Sequence, residues 1–248
     1  MDFRFEILLE YREAFLHGLW MSLQVSVWGI LGGLVLGLIL GLSRQIKSTE
    51  SKKDFVFKLF LRGPSLGYIT FFRGTPLFVQ IFLVHFALMP LLVHPDSGWL
   101  ISGELARVIK QEYGAFLSGT LALILNSAAY VAEIFRAGLQ SLDSGQEEAA
   151  RSLGMGYGPT MRYVLLPQVF KKMLPPLGNE AIMLLKDSSL VSAIGLAELA
   201  QTARTIAGTY SRYWEPYIAV SIIYLVLTMG LAYLVSRLEK HYEKSDRS

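Results

Sequence analysis

Residues 148–167 read EAARSLGMGYGPTMRYVLLP, a polar, glycine-punctuated stretch set between two strongly apolar ones, and the fold of the chain is decided by what it is. Good helix formers run from Gln146 to Leu153, with Glu147 and Glu148 in the first turn and Ser144 placed to cap it. Gly154, Gly156, Gly158 and Pro159 end that helix sharply. A second short helix is expected from Pro159, carrying Met161, Tyr163, Val164 and Leu166, because proline suits the first helical position. Two short helices in an L, presenting Ala149, Ala150 and a carboxylate, make a compact knob for the groove of a partner. The plain alternative is an ordinary amphipathic connector between two membrane helices.

Working outward, composition sets the class. Of 248 residues 52% are hydrophobic and only 17% charged, and the mean hydropathy is +0.41, which places the chain among integral membrane proteins. With no cysteine, a disulfide framework, thiol catalysis and a Cys-based zinc site are excluded. The four histidines, His17, His85, His94 and His241, lack metal-ligand spacing, and no metal or cofactor is expected. A net charge of +3 fits loops facing anionic lipid better than nucleic-acid binding.

A membrane-spanning helix needs about 20 apolar residues. Five stretches qualify, at 18–42, 65–93, 115–139, 168–195 and 214–236. The expected architecture is therefore all-α and polytopic: a polar arm over 1–17, a transmembrane domain over 18–238 and a tail over 239–248. The 43–63 connector carries Arg44, Lys47, Lys52, Lys53, Lys58 and Arg62. The 140–167 loop and its exit carry Arg151, Arg162, Lys171 and Lys172, and the tail carries Arg237, Lys240, Lys244 and Arg247. By contrast, 94–114 offers only Arg107 and Lys110, and 196–213 only Arg204 and Arg212. Positive-inside bias then puts the N-terminus outside and the C-terminus in the cytoplasm, with the 144–167 loop on the cytoplasmic side. The N-terminal segment is acidic as well as basic, which disfavours a cleaved signal peptide. Gly29, Gly33, Gly37 and Gly41 form a small-residue stripe on the first span, suited to close helix packing. The 94–114 connector is expected to hold a surface helix from Ser102, as its cap, to Tyr113.

The spacing of the opening stretch is Glu148-Ala149-Ala150, three residues, Gly154, nine residues, then Val164-x-Leu166-Pro167. Position for position it resembles the EAA loop of ABC-transporter membrane subunits. The resemblance extends over roughly residues 15–240 through FRGTP (Phe72 to Pro76), AAYVAEIFRAG (Ala128 to Gly138) and PPLGNEAIMLLKDSSLVSAIG (Pro175 to Gly195). These segments are similar to the polar-amino-acid permeases, the membrane subunits of bacterial amino-acid uptake systems related to histidine, glutamine and arginine permeases. The resemblance implies a type I ABC-importer core of five helices per subunit, in the bacterial cytoplasmic membrane. It also implies two such subunits around a path, a pair of ATP-binding subunits, and an extracytoplasmic amino-acid-binding protein. Glu148, Ala149, Ala150, Gly154, Leu166 and Pro167 are the positions it assigns to ATPase coupling.

An ionisable residue inside an apolar helix costs about 2.5–3.5 kcal/mol and marks a functional site by default. Glu180 and Asp187 are seven residues apart, on nearly one helix face and about 10.5 Å apart along the axis, and suit an ammonium or cationic side chain. Arg73 suits a carboxylate, and Asn126, Ser188 and Tyr130 add neutral hydrogen-bonding groups. One group of each sign fits an amino acid better than a sugar or a phosphate. The structural account of the same residues is pairing of Glu133 with Arg136 three positions on, snorkelling of Arg73, and helix packing at Glu180 and Asp187. Lys186 and Asp187 point about 100° apart on a helix. The chain has no G-x-x-x-x-G-K-[ST] loop and no Ser-His-Asp arrangement, so no ATPase site or chemical catalysis of its own is expected. The competing classes are an ion-coupled secondary transporter using Glu180 and Asp187, and a non-transporting scaffold whose loop recruits a cytosolic partner. The first leaves the 148–167 spacing unexplained, and the second predicts no substrate flux and no need for buried charge in the fourth helix.

Overall fold

Glycine spacing determines how the first long helix packs. In the computed structural model, which describes residues 3–45 and 62–245, α2 (Arg12–Gln45) lies along α5 (Gly103–Gln140) over most of its length. Gly33 meets Ser127, Gly37 meets Val131 and the Ala128 carbonyl, and Gly41 meets Phe135. A Cβ on Gly37 would stand 2.6 Å from Val131 Cβ, so only glycine allows this approach. The opposite face of α2, with Trp28, Leu31, Val35, Ile39 and Leu42, points away from the rest of the chain. Gly37→Ala is expected to cost about 1–3 kcal/mol through overpacking. Gly230→Ala, where nothing lies within 4 Å, is expected to be neutral or slightly stabilising. Thermal unfolding in detergent checks this; equal midpoints for the two variants would contradict the packing assigned to the stripe.

The remaining elements follow in order: α1 (Glu6–Glu10) before α2, then α3 (Gly63–Gly74) and α4 (Leu77–Leu92) between α2 and α5. After α5 come α6 (Ser144–Ser152), α7 (Tyr157–Thr160), α8 (Leu166–Asp187), a 3-10 segment (Ser188–Ile194), α9 (Leu199–Tyr210) and α10 (Trp214–Ser245). A central core of Val25, Ile81, Val84, Ala122, Leu123, Leu184 and Val191 ties α2, α4, α5 and α8 together with the 3-10 segment. A second cluster, Ile7, Phe15, Leu199, Ala203, Ile206 and Val220, packs α1 and α9 onto the beginnings of α2 and α10. The polar arm expected over 1–17 is thus helical from Glu6 and partly docked. A third cluster, Phe135, Val169 and Met173 with Leu38, closes the opposite end, beside α6 and α7. The bundle therefore has two distinct ends, one built on α9 and the other on the 144–167 loop.

Arg12–Arg44, Gly103–Gln140 and Trp214–Lys240 are long and apolar enough to cross a membrane. The single span expected at 65–93 is broken: α3 and α4 qualify only together, and they bend by 113° at the break. The cause is local. A residue before proline disfavours the helical region, and Thr75, before Pro76, is extended at φ −119° and ψ 148°. The stretch expected at 168–195 is helical as α8 and continues as the 3-10 segment. Its Lys171, Lys172, Glu180, Lys186 and Asp187 make it too polar to qualify as a span by composition. The expected connector helix is the first part of α5, Gly103–Val108, which passes through a π turn (Ile109–Tyr113) into the rest of that helix. Ser102 occupies its cap position but makes no side-chain capping bond. Of the basic residues behind the topology reading, Lys47, Lys52, Lys53, Lys58 and Arg247 lie outside the described residues.

Candidate functional site

Three polar clusters and one loop carry the chemistry. The first repairs the break between α3 and α4. Gln80, 1% exposed, donates from Nε2 to the Phe72 carbonyl at 2.8 Å, the Thr75 carbonyl at 3.0 Å and Thr75 Oγ1 at 2.9 Å. Its side chain thus supplies the donors that the broken helix lacks. Asn126 on α5 donates to Gln80 Oε1 at 2.9 Å and approaches the Phe72 carbonyl at 3.4 Å. In this conformation Asn126 holds the break in place and is not open to a ligand.

The second cluster gathers three arginines on one carboxylate. Glu133 on α5 accepts from Arg44 Nη1 of α2 at 2.9 Å and from Arg136 Nε at 2.7 Å. Arg73, at the end of α3, lies 3.6 Å from the same carboxylate, its guanidinium 5.6 Å from the centre of the Tyr130 ring. Arg73 thus leans toward Glu133 and Tyr130 while staying 42% exposed, and the expected Glu133–Arg136 pairing is present.

The third group is spread along α8 and α9. Glu180 is buried beside Ser127 of α5 and within electrostatic reach of Asp187. Asp187 is half-buried at the end of α8, and Lys186 faces outward. Ser188 is fully buried and donates to the Leu185 carbonyl at 2.7 Å. Past it stands Glu198, also fully buried. It accepts from Ser22 Oγ at 3.3 Å, Tyr224 OH at 3.0 Å and the Gln201 N–H at 2.8 Å. Those bonds cap α9 and bind it to α2 and α10. Of the five residues expected to contact substrate, Glu180 and Asp187 share one face. Arg73, Asn126 and Ser188 each belong to separate packing contacts. Sequence reasoning did not single out Glu198 and Gln80; the signal was there, a lone carboxylate in LAELAQTA and an amide four residues after Pro76.

The loop is built as two helical pieces. Asp143, and not Ser144, caps α6, its Oδ1 accepting from the Gly145 N–H at 2.8 Å. Gly154, at φ +82°, ends it: its N–H bonds the Arg151 carbonyl at 2.9 Å, and the Met155 N–H bonds the Ala150 carbonyl at 3.1 Å. This pair of bonds is the glycine stop in which the backbone turns left-handed at almost no steric cost. The second piece starts at Tyr157, two residues before the expected Pro159, and passes through a π turn (Met161–Leu165) into α8. A cavity of about 240 Å³ lies between the pieces, lined by Leu142, Tyr157, Met161 and Leu165 among others. Ala150 is buried, Glu148, Ala149, Gly154 and Pro167 are exposed, and Leu166 is half-buried. Leu153, 83% exposed, and Tyr163, 67% exposed, stand clear of the chain.

Comparison with known proteins agrees with this arrangement. Residues 33–244 match the family described as binding-protein-dependent transport system inner membrane component. The arginine transport system permease protein ArtQ of Bacillus subtilis is 36% identical over 231 residues, covering 93% of each chain. The glutamine transport system permease protein GlnP of Escherichia coli K12 is 34% identical over 225 residues, covering 91% of each. A crystal structure of an amino acid ABC transporter with histidines contains a chain superposing with a TM-score of 0.79 at 38% identity, covering 97% of this chain and 100% of that one. The MetNI methionine ABC transporter in an inward-facing conformation shares the fold, with a TM-score of 0.72 at 16% identity, covering 94% and 98%. An all-helical membrane fold, a glycine-stopped loop at one end of the bundle and these matches lead to one assignment: the chain belongs to the inner membrane components of binding-protein-dependent transport systems, as an amino-acid ABC transporter permease subunit.

Proposed function

We propose that this subunit imports polar amino acids across the bacterial cytoplasmic membrane as one of two paired permease chains, identical or paralogous. In this reading the chain crosses the membrane five times, with α8 and the 3-10 segment as the fourth crossing, the N-terminus outside and the C-terminus inside. Residues 18–238 form the permease domain, and 239–248 a cytoplasmic tail. A binding protein delivers the amino acid at the α9 end. Two ATPase subunits grip the 144–167 loop at the other end and need no cofactor from this chain. ATP binding draws the ATPases together, and the loop carries that movement into α8 as a rigid-body shift that opens the path outward; hydrolysis resets it.

The observation that carries this reading is the glycine-stopped loop. Its exposed Leu153 and Tyr163 sit at the end of the bundle remote from α9, and its second piece runs directly into α8, which bears Glu180 and Asp187. Any push on the loop reaches those carboxylates without passing through a flexible linker. Glu180 and Asp187 are assigned to the cationic groups of the substrate.

The test is ATP-dependent uptake of a labelled amino-acid mixture into proteoliposomes, using the subunit with its co-purifying ATPase and an added binding protein. Accumulation that requires all three is expected. Uptake driven by an ion gradient without ATP would overturn the reading. Within this assay, Asp187→Asn and Glu180→Gln are each expected to reduce uptake about tenfold or more, the loss of one charge-assisted contact, with the ATPase still bound. Unchanged concentration dependence in both variants would return the carboxylates to a packing role.

A further inference from the structure

At the α9 end of the bundle lies a shallow, open cleft that neither the packing nor the loop explains. It measures about 590 Å³ and is walled by the end of the 3-10 segment and one face of α9, with Ser192, Gln201, Arg204, Thr205 and Thr209 as its polar lining. We propose that it is an entry subsite for a zwitterionic amino acid, Arg204 holding the α-carboxylate while the α9 hydroxyls accept from the α-ammonium group. The inference rests on the importer reading above and adds a site to it.

The lining contains one cation and no carboxylate. Arg204 is exposed and has no hydrogen bond or ion pair among the described residues, so its planar fork of donors is available, the geometry that suits a carboxylate. The hydroxyls have their protons engaged elsewhere. Thr205 Oγ1 donates to the Gln201 carbonyl at 3.0 Å, Thr209 Oγ1 to the Thr205 carbonyl at 3.0 Å, and Ser192 Oγ to the Ser189 carbonyl at 2.7 Å. What these groups still offer is lone pairs, which receive an ammonium and not an anion. Gln201 Oε1 has no partner among the described residues, but it is buried and stays out of a ligand's reach. One wall thus presents a cationic fork beside a row of acceptors, complementary to the two ends of a zwitterion.

The cleft is also held rigid from behind. The opposite side of α9 is fixed by Glu198, which takes the Gln201 N–H at 2.8 Å and binds Ser22 and Tyr224. The 3-10 wall begins at Ser188, directly after Asp187. That wall joins the subsite along the chain to Asp187.

The experiment is equilibrium binding to the purified transporter complex in nanodiscs, without binding protein. The probes are a radiolabelled amino-acid mixture and the corresponding methyl esters, which lack the carboxylate charge. Arg204→Gln is expected to weaken amino-acid binding at least about tenfold and leave ester binding unchanged, with Arg204→Lys intermediate. Arg204 is exposed, so the substitution leaves the fold intact. Equal affinity in wild type and Arg204→Gln, or wild-type binding indifferent to esterification, would overturn the subsite. So would a variant that keeps amino-acid affinity but loses co-sedimentation with the binding protein, because Arg204 would then serve an acidic side chain of that protein. ATP-driven uptake by the wild type, measured alongside, separates failure of the subsite from failure of the importer reading.

Discussion

Glu133→Gln is expected to lower the amount of folded subunit in the membrane several-fold and to depress its unfolding midpoint in detergent. The carboxylate is the shared counterion of Arg44, Arg73 and Arg136, drawn from α2, α3 and α5. The Glu133 side chain is 20% exposed, those of Arg44 and Arg136 19% and 29%, and that of Arg73 42%, so solvent screens the group in part. Removing the acid leaves three guanidinium groups facing one another with no anion between them. Removing one partner of such a part-exposed, hydrogen-bonded cluster costs about 1–3 kcal/mol, still a sizeable share of the roughly 5–15 kcal/mol that holds a typical domain together. The remedy identifies the cause: adding Arg44→Gln to Glu133→Gln removes one of the stranded charges and is expected to restore part of the loss. A double-mutant cycle read by thermal unfolding measures that coupling. Wild-type abundance and midpoint in the single variant would show that the cluster does not join the three helices.

How much of this was legible beforehand differs from residue to residue. α2, α5 and α10 each hold an apolar run long enough to cross a membrane, and composition alone finds them. The glycine stripe is legible as a packing surface because helical spacing puts it on one face, but its partner on α5 is not, since no local rule pairs Gly37 with Val131. The loop is legible almost to the residue because glycine and proline act on the backbone where they stand. Its errors, Asp143 for Ser144 and Tyr157 for Pro159, are shifts of one or two positions among residues that can each cap or start a helix. The break at Pro76 is the instructive failure. FRGTP reads as a family marker within an apolar run, yet the proline's restriction on Thr75 is a local rule that could have been applied. Arg73 and Asn126 look like ligand groups because polarity in an apolar run is costly, and sequence does not say who compensates it. Glu133 and Gln80 do, through tertiary contacts. Glu198 escapes notice for the same reason, with its partners Ser22 and Tyr224 lying 176 and 26 residues away.

Gly154→Pro is expected to abolish the coupling of ATP hydrolysis to uptake while the protein still inserts. Proline holds φ near −65° and has no N–H, whereas Gly154 sits at φ +82° and donates to the Arg151 carbonyl. The variant loses both the left-handed turn and one of the two bonds that stop α6, so the chain leaves the helix in another direction and Leu153 is aimed elsewhere. Nothing lies within 4 Å of where a Cβ would stand, so the damage is confined to backbone geometry at the loop and does not reach the core. Uptake in proteoliposomes is expected to fall at least about tenfold, the loss of one well-placed anchor at an interface, with ATP hydrolysis continuing at its uncoupled rate. Gly154→Ala, which pays only about 1 kcal/mol for a side chain in the left-handed region, should fall between the two. A tryptophan at the exposed Ala149 should produce the same uncoupling by obstruction, with the backbone turn intact. If Gly154→Pro and Ala149→Trp both transport normally, the loop does not carry the ATPase's motion, and the rigid connection into α8 must serve packing instead.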